Sequence, residues 1–300
     1  MQAPPESLIT ARDWLSWAEK RFTDAGLYFG HGCDNAFDEA AWLILHALKQ
    51  PLNGLDAMLD VKLDKDQCQS IYDLLNRRIS ERIPSAYLTR QAWLGDFYFY
   101  VDERVIVPRS YFAELLEHGL LPWVTDDMPV RRALDLCTGS GCLAILMAMT
   151  FADAKIDAVD VSMSALDVAR LNVERYELGT RVELIESDLF GAVSTRQYDL
   201  IISNPPYVTT EAMRLLPAEY LHEPGMALAA GADGLDIVRR ILHESARHLT
   251  PHGILMVEVG HNAELVEAAF PDISFTWIDT ESSEQKIFLL LRQELHDYFT

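Results

Sequence analysis

The chain has 300 residues, 49% hydrophobic and 24% charged, which suits about two globular domains and excludes a disordered chain. Its 25 Lys and Arg against 46 Asp and Glu give a formal charge of −21, which argues against direct nucleic-acid binding, where cations must neutralise phosphates, and favours small molecules or basic protein partners. The most apolar stretch, Leu143–Met149, is far shorter than the ~20 residues of a bilayer span, so no membrane association is expected.

The N-terminal residues Met1–Glu6 lack a basic start followed by an apolar run, so no secretory leader is expected. Cys33, Cys68, Cys137 and Cys142 form no CxxC pair and no spacing with histidine that suits a metal, and they read as reduced thiols of a cytoplasmic protein without a metal site. Trp14, Trp17, Ala18, Phe22 and Ala25 recur at helical spacing, as do Ala40, Leu43, Ile44 and Ala47. Asp64 with Gln67 predicts a capping box before a helix carrying Ile71, Leu74, Leu75 and Ile79, which Pro84 ends. Two β-rich runs, Phe97–Val101 and Val105–Val107, flank Asp102-Glu103 and predict a hairpin closed by Pro108. Pro122–Pro129 reads as the linker, so the expected organisation is a helical domain over 1–90, a hairpin and linker over 91–125, and a catalytic domain over 126–300.

From residue 132 onward, strands alternate with helices. Predicted strands are Ala133–Cys137, Lys155–Val161, Arg181–Glu186, Tyr198–Ser203 and Gly253–Val259. Helices follow the first strand to Phe151, then cover Ala165–Tyr176 and Asp233–His248. Such alternation implies an α/β domain with a mostly parallel sheet covered on both faces. Ser274–Ile278 and Lys286–Leu291 are expected to close it as an antiparallel pair.

Asp135-Leu-Cys137-Thr138-Gly139-Ser140-Gly141 lies where the first of these strands turns into its helix. Glycines there let backbone amides approach a ligand, and the helix N-terminus adds a positive end. Gly139, Gly141 and Ala144 fit the loose pattern G-x-G-x-x-A, which a tight turn alone also explains. Asp160, 21 residues after Gly139, ends the second strand where a carboxylate accepts ribose hydroxyls. Asp188, after the third strand, is placed to meet an adenine edge, with Leu189 beside it. Three strand ends on one side of a sheet make one crevice, and a nucleoside-bearing cofactor is the expected ligand.

Asn204-Pro205-Pro206-Tyr207 follows the fourth strand. Two prolines stiffen this loop and fix Asn204 and the Pro205 carbonyl at the crevice rim. With these residues the chain resembles class I S-adenosylmethionine methyltransferases that modify amino groups. The resemblance implies that the Asn204 side chain and the Pro205 carbonyl accept hydrogen bonds from the target NH2, while Tyr207 packs on the planar substrate.

The same loop serves adenine and glutamine methyltransferases. Ile83–Thr89, Val105–Arg109, Asp135–Gly141, His222-Glu223-Pro224 and Ala227–Leu235 resemble the N(5)-glutamine protein methyltransferases over most of the chain. That family implies a small helical domain and a hairpin before a Rossmann-like domain, with a seven-stranded sheet carrying an antiparallel terminal strand. Gly30–Asn35, Phe99–Val105 and Leu216–Pro224 are most similar to its branch acting on ribosomal protein L-three, a basic protein substrate. Leu189 stands where the release-factor branch often has Trp, and Asp279–Gln285 lacks the glycines associated with the L-three branch. Competing readings are methylation of a release factor, adenine methylation, an NAD-dependent oxidoreductase and a catalytically dead binding module. The oxidoreductase leaves Asn204–Tyr207 unexplained, and an intact Asn204, Pro205 and Tyr207 oppose the dead module. His31, between glycines, reads as a turn residue, Arg109 as a domain-interface anchor or a substrate contact, and Glu223 as a shaper of the loop over the site.

Overall fold

A computed structural model describes residues 4–125 and 127–299. The reading of Met1–Ala3 as part of a leaderless start, and Asp126 and Thr300 of the expected catalytic segment, lie outside the described residues.

Helices Ala11–Asp24, Ala36–Ala47 and Lys65–Glu81 pack around Trp14, Phe22, Leu43, Ile44 and Ile71, all fully buried. The third helix starts at the expected capping box: Gln67 N donates to Asp64 Oδ1 at 2.8 Å and Asp64 N donates to Gln67 Oε1 at 3.0 Å. The short helix Ser85–Thr89 follows Pro84.

The hairpin differs from expectation. Its strands are β1 (Ala92–Leu94) and β2 (Phe97–Phe99), joined by Gly95-Asp96, with Trp93 opposite Tyr98. Gly95 has φ +56°, the left-handed backbone that a two-residue turn demands. Val101, Val105 and Val107 are buried, but 105–107 forms no strand, because side chains satisfy its backbone: Tyr87 Oη donates to Val105 O at 2.5 Å and Val107 N donates to Glu223 Oε1 at 2.9 Å. The apolar composition of 105–107 reflects burial without strand pairing.

The catalytic region carries β3 (Arg132–Leu136), β4 (Lys155–Asp160), β5 (Val182–Glu186), β6 (Tyr198–Ser203), β7 (Leu249–Glu258), β8 (Thr276–Thr280) and β9 (Ser283–Leu291) in one sheet of order β5-β4-β3-β6-β7-β9-β8. β3 to β7 are parallel, and β9 runs antiparallel to both its neighbours. Helices Cys142–Thr150 and Met163–Arg175 follow β3 and β4, and Asp236–His248 precedes β7, starting three residues later than expected. β7 begins earlier than expected because Gly253 lies inside it; a Cβ there would come 2.8 Å from Tyr198 O, next to the irregular register of β6. From β3 the chain winds outward through β4 and β5, then returns beside β3 as β6. Ligands bind at such a reversal, outside the carboxyl ends of the strands. Among the described residues no helix is long and apolar enough to cross a membrane.

Candidate active site

At that reversal Gly139 N donates to Asp160 Oδ2 at 2.8 Å, tying the turn after β3 to the end of β4. Ser162 N donates to Asp160 Oδ1 at 2.9 Å. Burial pushes the Asp160 carboxyl above its ordinary range although these amides pull it down. A cavity above the turn is lined by Cys137, Gly139, Asp160, Asp188, Leu189, Asn204 and Pro206, so seven of the expected site residues come together. Cys137 has φ +63°, and burial raises its thiol, keeping it neutral. Asp188 stands at the exposed mouth, 2.9 Å from Arg240 Nη1. Leu189 is buried with φ +48°, its carbonyl held by Ser187 Oγ at 2.9 Å.

Asp135, Thr138, Ser140 and Gly141 lie behind the turn and do not line the cavity. Asp135 Oδ2 accepts from Thr138 Oγ1 at 2.5 Å and from Ala144 N at 3.0 Å; burial lifts this carboxyl to about 7. Asp135 thereby braces the turn, with its Oδ1 buried and unpartnered. Gly141 has φ +79°, and a Cβ there would stand 3.1 Å from Ala169 Cβ, so close packing of the turn on helix Met163–Arg175 requires glycine.

A second cavity, lined by Asn204, Pro205, Pro206, Tyr207, Arg109, Tyr111, Tyr220 and Leu228, opens beside the first, and Asn204 lines both. Asn204 Nδ2 donates to Arg109 O at 3.2 Å. A carbonyl only accepts, so the amide's NH2 end must face Arg109, and among the described residues Oδ1 carries no hydrogen bond. Among the described residues no backbone donor reaches the Pro205 carbonyl either. Asn262 Nδ2 donates to Tyr207 O at 2.7 Å, and Gly260 lies under the Tyr207 ring, where a Cβ would come 2.6 Å from Cε2. Burial raises the Tyr207 phenol, so it stays neutral.

Several contributors escaped the sequence reading. Arg104, Val105 and Ile106 line the first cavity from the linker, and Met226 and Ala227 from the segment after Pro224. Asn172, buried on helix Met163–Arg175, accepts from Tyr100 N at 2.7 Å and donates to Tyr100 O at 3.0 Å and to Ser140 O at 2.9 Å, joining hairpin and turn. Glu258, buried at the end of β7, accepts from Ser110 Oγ at 2.5 Å and Tyr111 N at 3.1 Å; burial raises it to about 7. For Asn172 and Glu258, a polar residue on an otherwise apolar helix or strand face was the only signal. His31 lies in a bend between its glycines, as expected, but it is also buried, with its ring 4.6 Å from that of Tyr220. Arg109 anchors the interface as expected, with both Nη atoms 2.6 Å from the Glu223 carboxylate. Burial alone would raise Glu223, but Arg109 and His31 outweigh it and hold it at about 2.

The sheet order, the glycine turn and the Asn-Pro-Pro-Tyr strand end define a methyltransferase, and the family model described as Methyltransferase small domain matches residues 120–272. The PrmC N-terminal domain model matches residues 13–89. The chain is 56% identical over 290 residues to the ribosomal protein uL3 glutamine methyltransferase of Neisseria meningitidis serogroup A, covering 97% of this chain and 95% of that protein. Proteins of the same name from Bordetella pertussis (50% identical, 97% and 98% covered) and Burkholderia pseudomallei (49%, 98% and 98%) are also similar. The chain belongs to the ribosomal protein uL3 glutamine methyltransferase family.

An enzyme of this class uses S-adenosylmethionine, and the first cavity fits it. The carboxylates of Asp160 and Asp188 suit hydroxyl and amino donors, and Val159, Ala165, Leu189 and Ile237 give apolar walls for a purine. At Gly139 nothing stands within 4 Å of where a Cβ would be, leaving room for a ligand to approach the backbone. Among the described residues no three His, Cys, Asp or Glu side chains group as a metal would require.

Proposed function

We propose that the enzyme transfers a methyl group from S-adenosylmethionine to the side-chain amide nitrogen of a glutamine in ribosomal protein uL3. The observation that carries this reading is a pair of acceptors free of protein donors among the described residues: Asn204 Oδ1, on a residue that lines both cavities, and the carbonyl of Pro205, which lines the second. An amide nitrogen is a poor nucleophile, because its lone pair is delocalised into the carbonyl. Two acceptors on its hydrogens orient the nitrogen and favour localisation of that lone pair as the transition state forms. The cofactor would supply a methyl group already activated on a sulfonium: as the N–CH3 bond forms the S–CH3 bond breaks, S-adenosylhomocysteine leaves, and the nitrogen gives up one of its two protons to solvent. Tyr207 and Pro206 wall the planar amide, and alignment with the methyl provides most of the remaining rate. A hydroxyl or carbonyl cannot donate twice, so it would leave buried acceptors unpaired, and the site selects NH2.

In this reading Asp160 and Asp188 hold the nucleoside, with Cys137, Gly139 and Leu189 shaping its cradle; Asp135, Thr138, Ser140 and Gly141 hold the turn. The helical domain over 1–90 recognises the protein substrate, the segment 91–125 connects it, and 126–300 carries the chemistry. The charge of −21 suits a basic ribosomal protein met in the cytoplasm.

Incubating the purified enzyme with methyl-labelled S-adenosylmethionine and ribosomal material from cells lacking it tests the reading. Label is expected on one glutamine of uL3. Label on a release factor would replace the substrate and keep the chemistry; label removed by nuclease would replace amide by adenine.

A further inference from the structure

We infer that Arg109 is a positioning residue that sets the direction of the Asn204 amide, and that Glu223 and His31 hold Arg109 in place. The inference rests on Asn204 acting as the amide acceptor. Its first support is directional. The Arg109 carbonyl, 3.2 Å from Asn204 Nδ2, binds only the NH2 end of that side chain, so it turns Oδ1 towards the target. An inverted amide would present donors to a substrate NH2 that also donates.

The second support is how firmly that carbonyl is held. Upstream, Val107 N donates to Glu223 Oε1 at 2.9 Å. Downstream, Ser110 Oγ and Tyr111 N donate to Glu258 Oε2. Between them the Arg109 guanidinium forks onto both oxygens of Glu223 and donates to Val107 O at 3.2 Å, with Cζ 5.4 Å from the centre of the Tyr220 ring. The five residues 107–111 are thus pinned by two buried carboxylates on either side of the carbonyl that faces Asn204.

The third support comes from the helical region. His31 Nε2 lies 3.7 Å from Glu223 Oε1, and among the described residues neither ring nitrogen has a hydrogen-bond partner; the Glu223 carboxylate is the charged group beside this imidazole. His31 lines neither cavity. A residue of the substrate-recognising half therefore reaches the acceptor through two side chains and one carbonyl.

Replacement of Arg109 by lysine keeps the charge and the backbone but loses the fork. Initial rates on uL3, with S-adenosylhomocysteine affinity by calorimetry, are to be compared for R109K, E223Q, H31Q and N204A. In R109K and E223Q, kcat is expected to fall about tenfold, the scale of a small misplacement of reacting groups. KM for uL3 and Kd for S-adenosylhomocysteine should stay within about twofold, and the R109K/E223Q pair should be no worse than the poorer single variant, as members of one unit behave. H31Q should fall in the same direction by less. If N204A collapses while R109K and H31Q keep wild-type kcat, or lose activity only through KM, the inference is wrong and the acceptor role stands. If N204A itself keeps wild-type turnover, the acceptor role fails and the inference with it.

Discussion

Asp160 is a strand-end side chain that braces a turn and lines a cavity at once. Its oxygens accept the amides of Gly139 and Ser162, and the same carboxylate lines the cofactor cavity. Replacing it with alanine is expected to weaken S-adenosylhomocysteine binding roughly 10- to 100-fold, the scale of a hydrogen bond to a charged group. Calorimetry checks this, and unchanged affinity would remove Asp160 from the cofactor site. Asp160 and Asn204 were legible in the sequence because a strand's end fixes where the next residue points. Asp135 was not, because its spacing matches a ligand contact while its side chain turns inward to Thr138 and Ala144. Nothing in a one-dimensional pattern separates a carboxylate that touches a ligand from one that braces the loop beneath it.

At the scale of elements, the parallel strands were readable from their apolar runs, and the hairpin was misplaced by composition. Beside its short ladder with β1, the chain from Tyr98 to Tyr100 is held by side chains acting as strand partners. Tyr176 Oη accepts from Tyr98 N at 2.9 Å and donates to Tyr98 O at 2.8 Å, while Asn172 does the same for Tyr100. Such pairing across more than 70 residues has no local signature. Glu258 gives this layer a pH dependence. Its carboxyl is raised to about 7 from an ordinary 4.5, chiefly by burial. Between those values the folded chain keeps a proton that the unfolded chain has lost, so this group's contribution to stability is lost as pH rises through that window. Thermal unfolding of E258Q is expected to show a smaller loss of stability than wild type between pH 5 and pH 8. Parallel curves for the two proteins would contradict the assignment. The turn after β7 offers a second check: G260A must move the Tyr207 ring or strain a backbone at φ +57°, and it is expected to lower kcat at least tenfold. Rates measured on uL3 decide this, and wild-type kcat would show that the ring's place is unimportant.

Across the whole molecule, buried charges join the helical region to the catalytic sheet. Arg78, 1% exposed, meets Glu39 of the same region and Glu219 of the segment beside the site, the latter at 3.1 Å, and donates to Tyr28 O at 2.8 Å. Removing the guanidinium leaves Glu39 buried without its cation and Glu219 with Arg82 alone, 3.4 Å away, so R78M is expected to cost about 3–5 kcal/mol in urea denaturation. A loss below about 1 kcal/mol would mean that water or rearrangement supports these glutamates. The net charge of −21 favoured a basic partner over nucleic acid, but it carried no information about where the two halves meet. That meeting depends on Glu219 and Glu223, whose buried partners lie more than 100 positions away.

The central claim is that Asn204 accepts from the target amide in the transition state and contributes little to cofactor binding. Single-turnover methylation of uL3 by N204A, beside S-adenosylhomocysteine calorimetry on the same sample, tests it most directly. The transfer rate is expected to fall by roughly 100-fold or more, the scale of losing one preorganised transition-state contact, with cofactor affinity held within about threefold. A transfer rate within a few-fold of wild type, or a loss explained by cofactor affinity alone, would contradict the account.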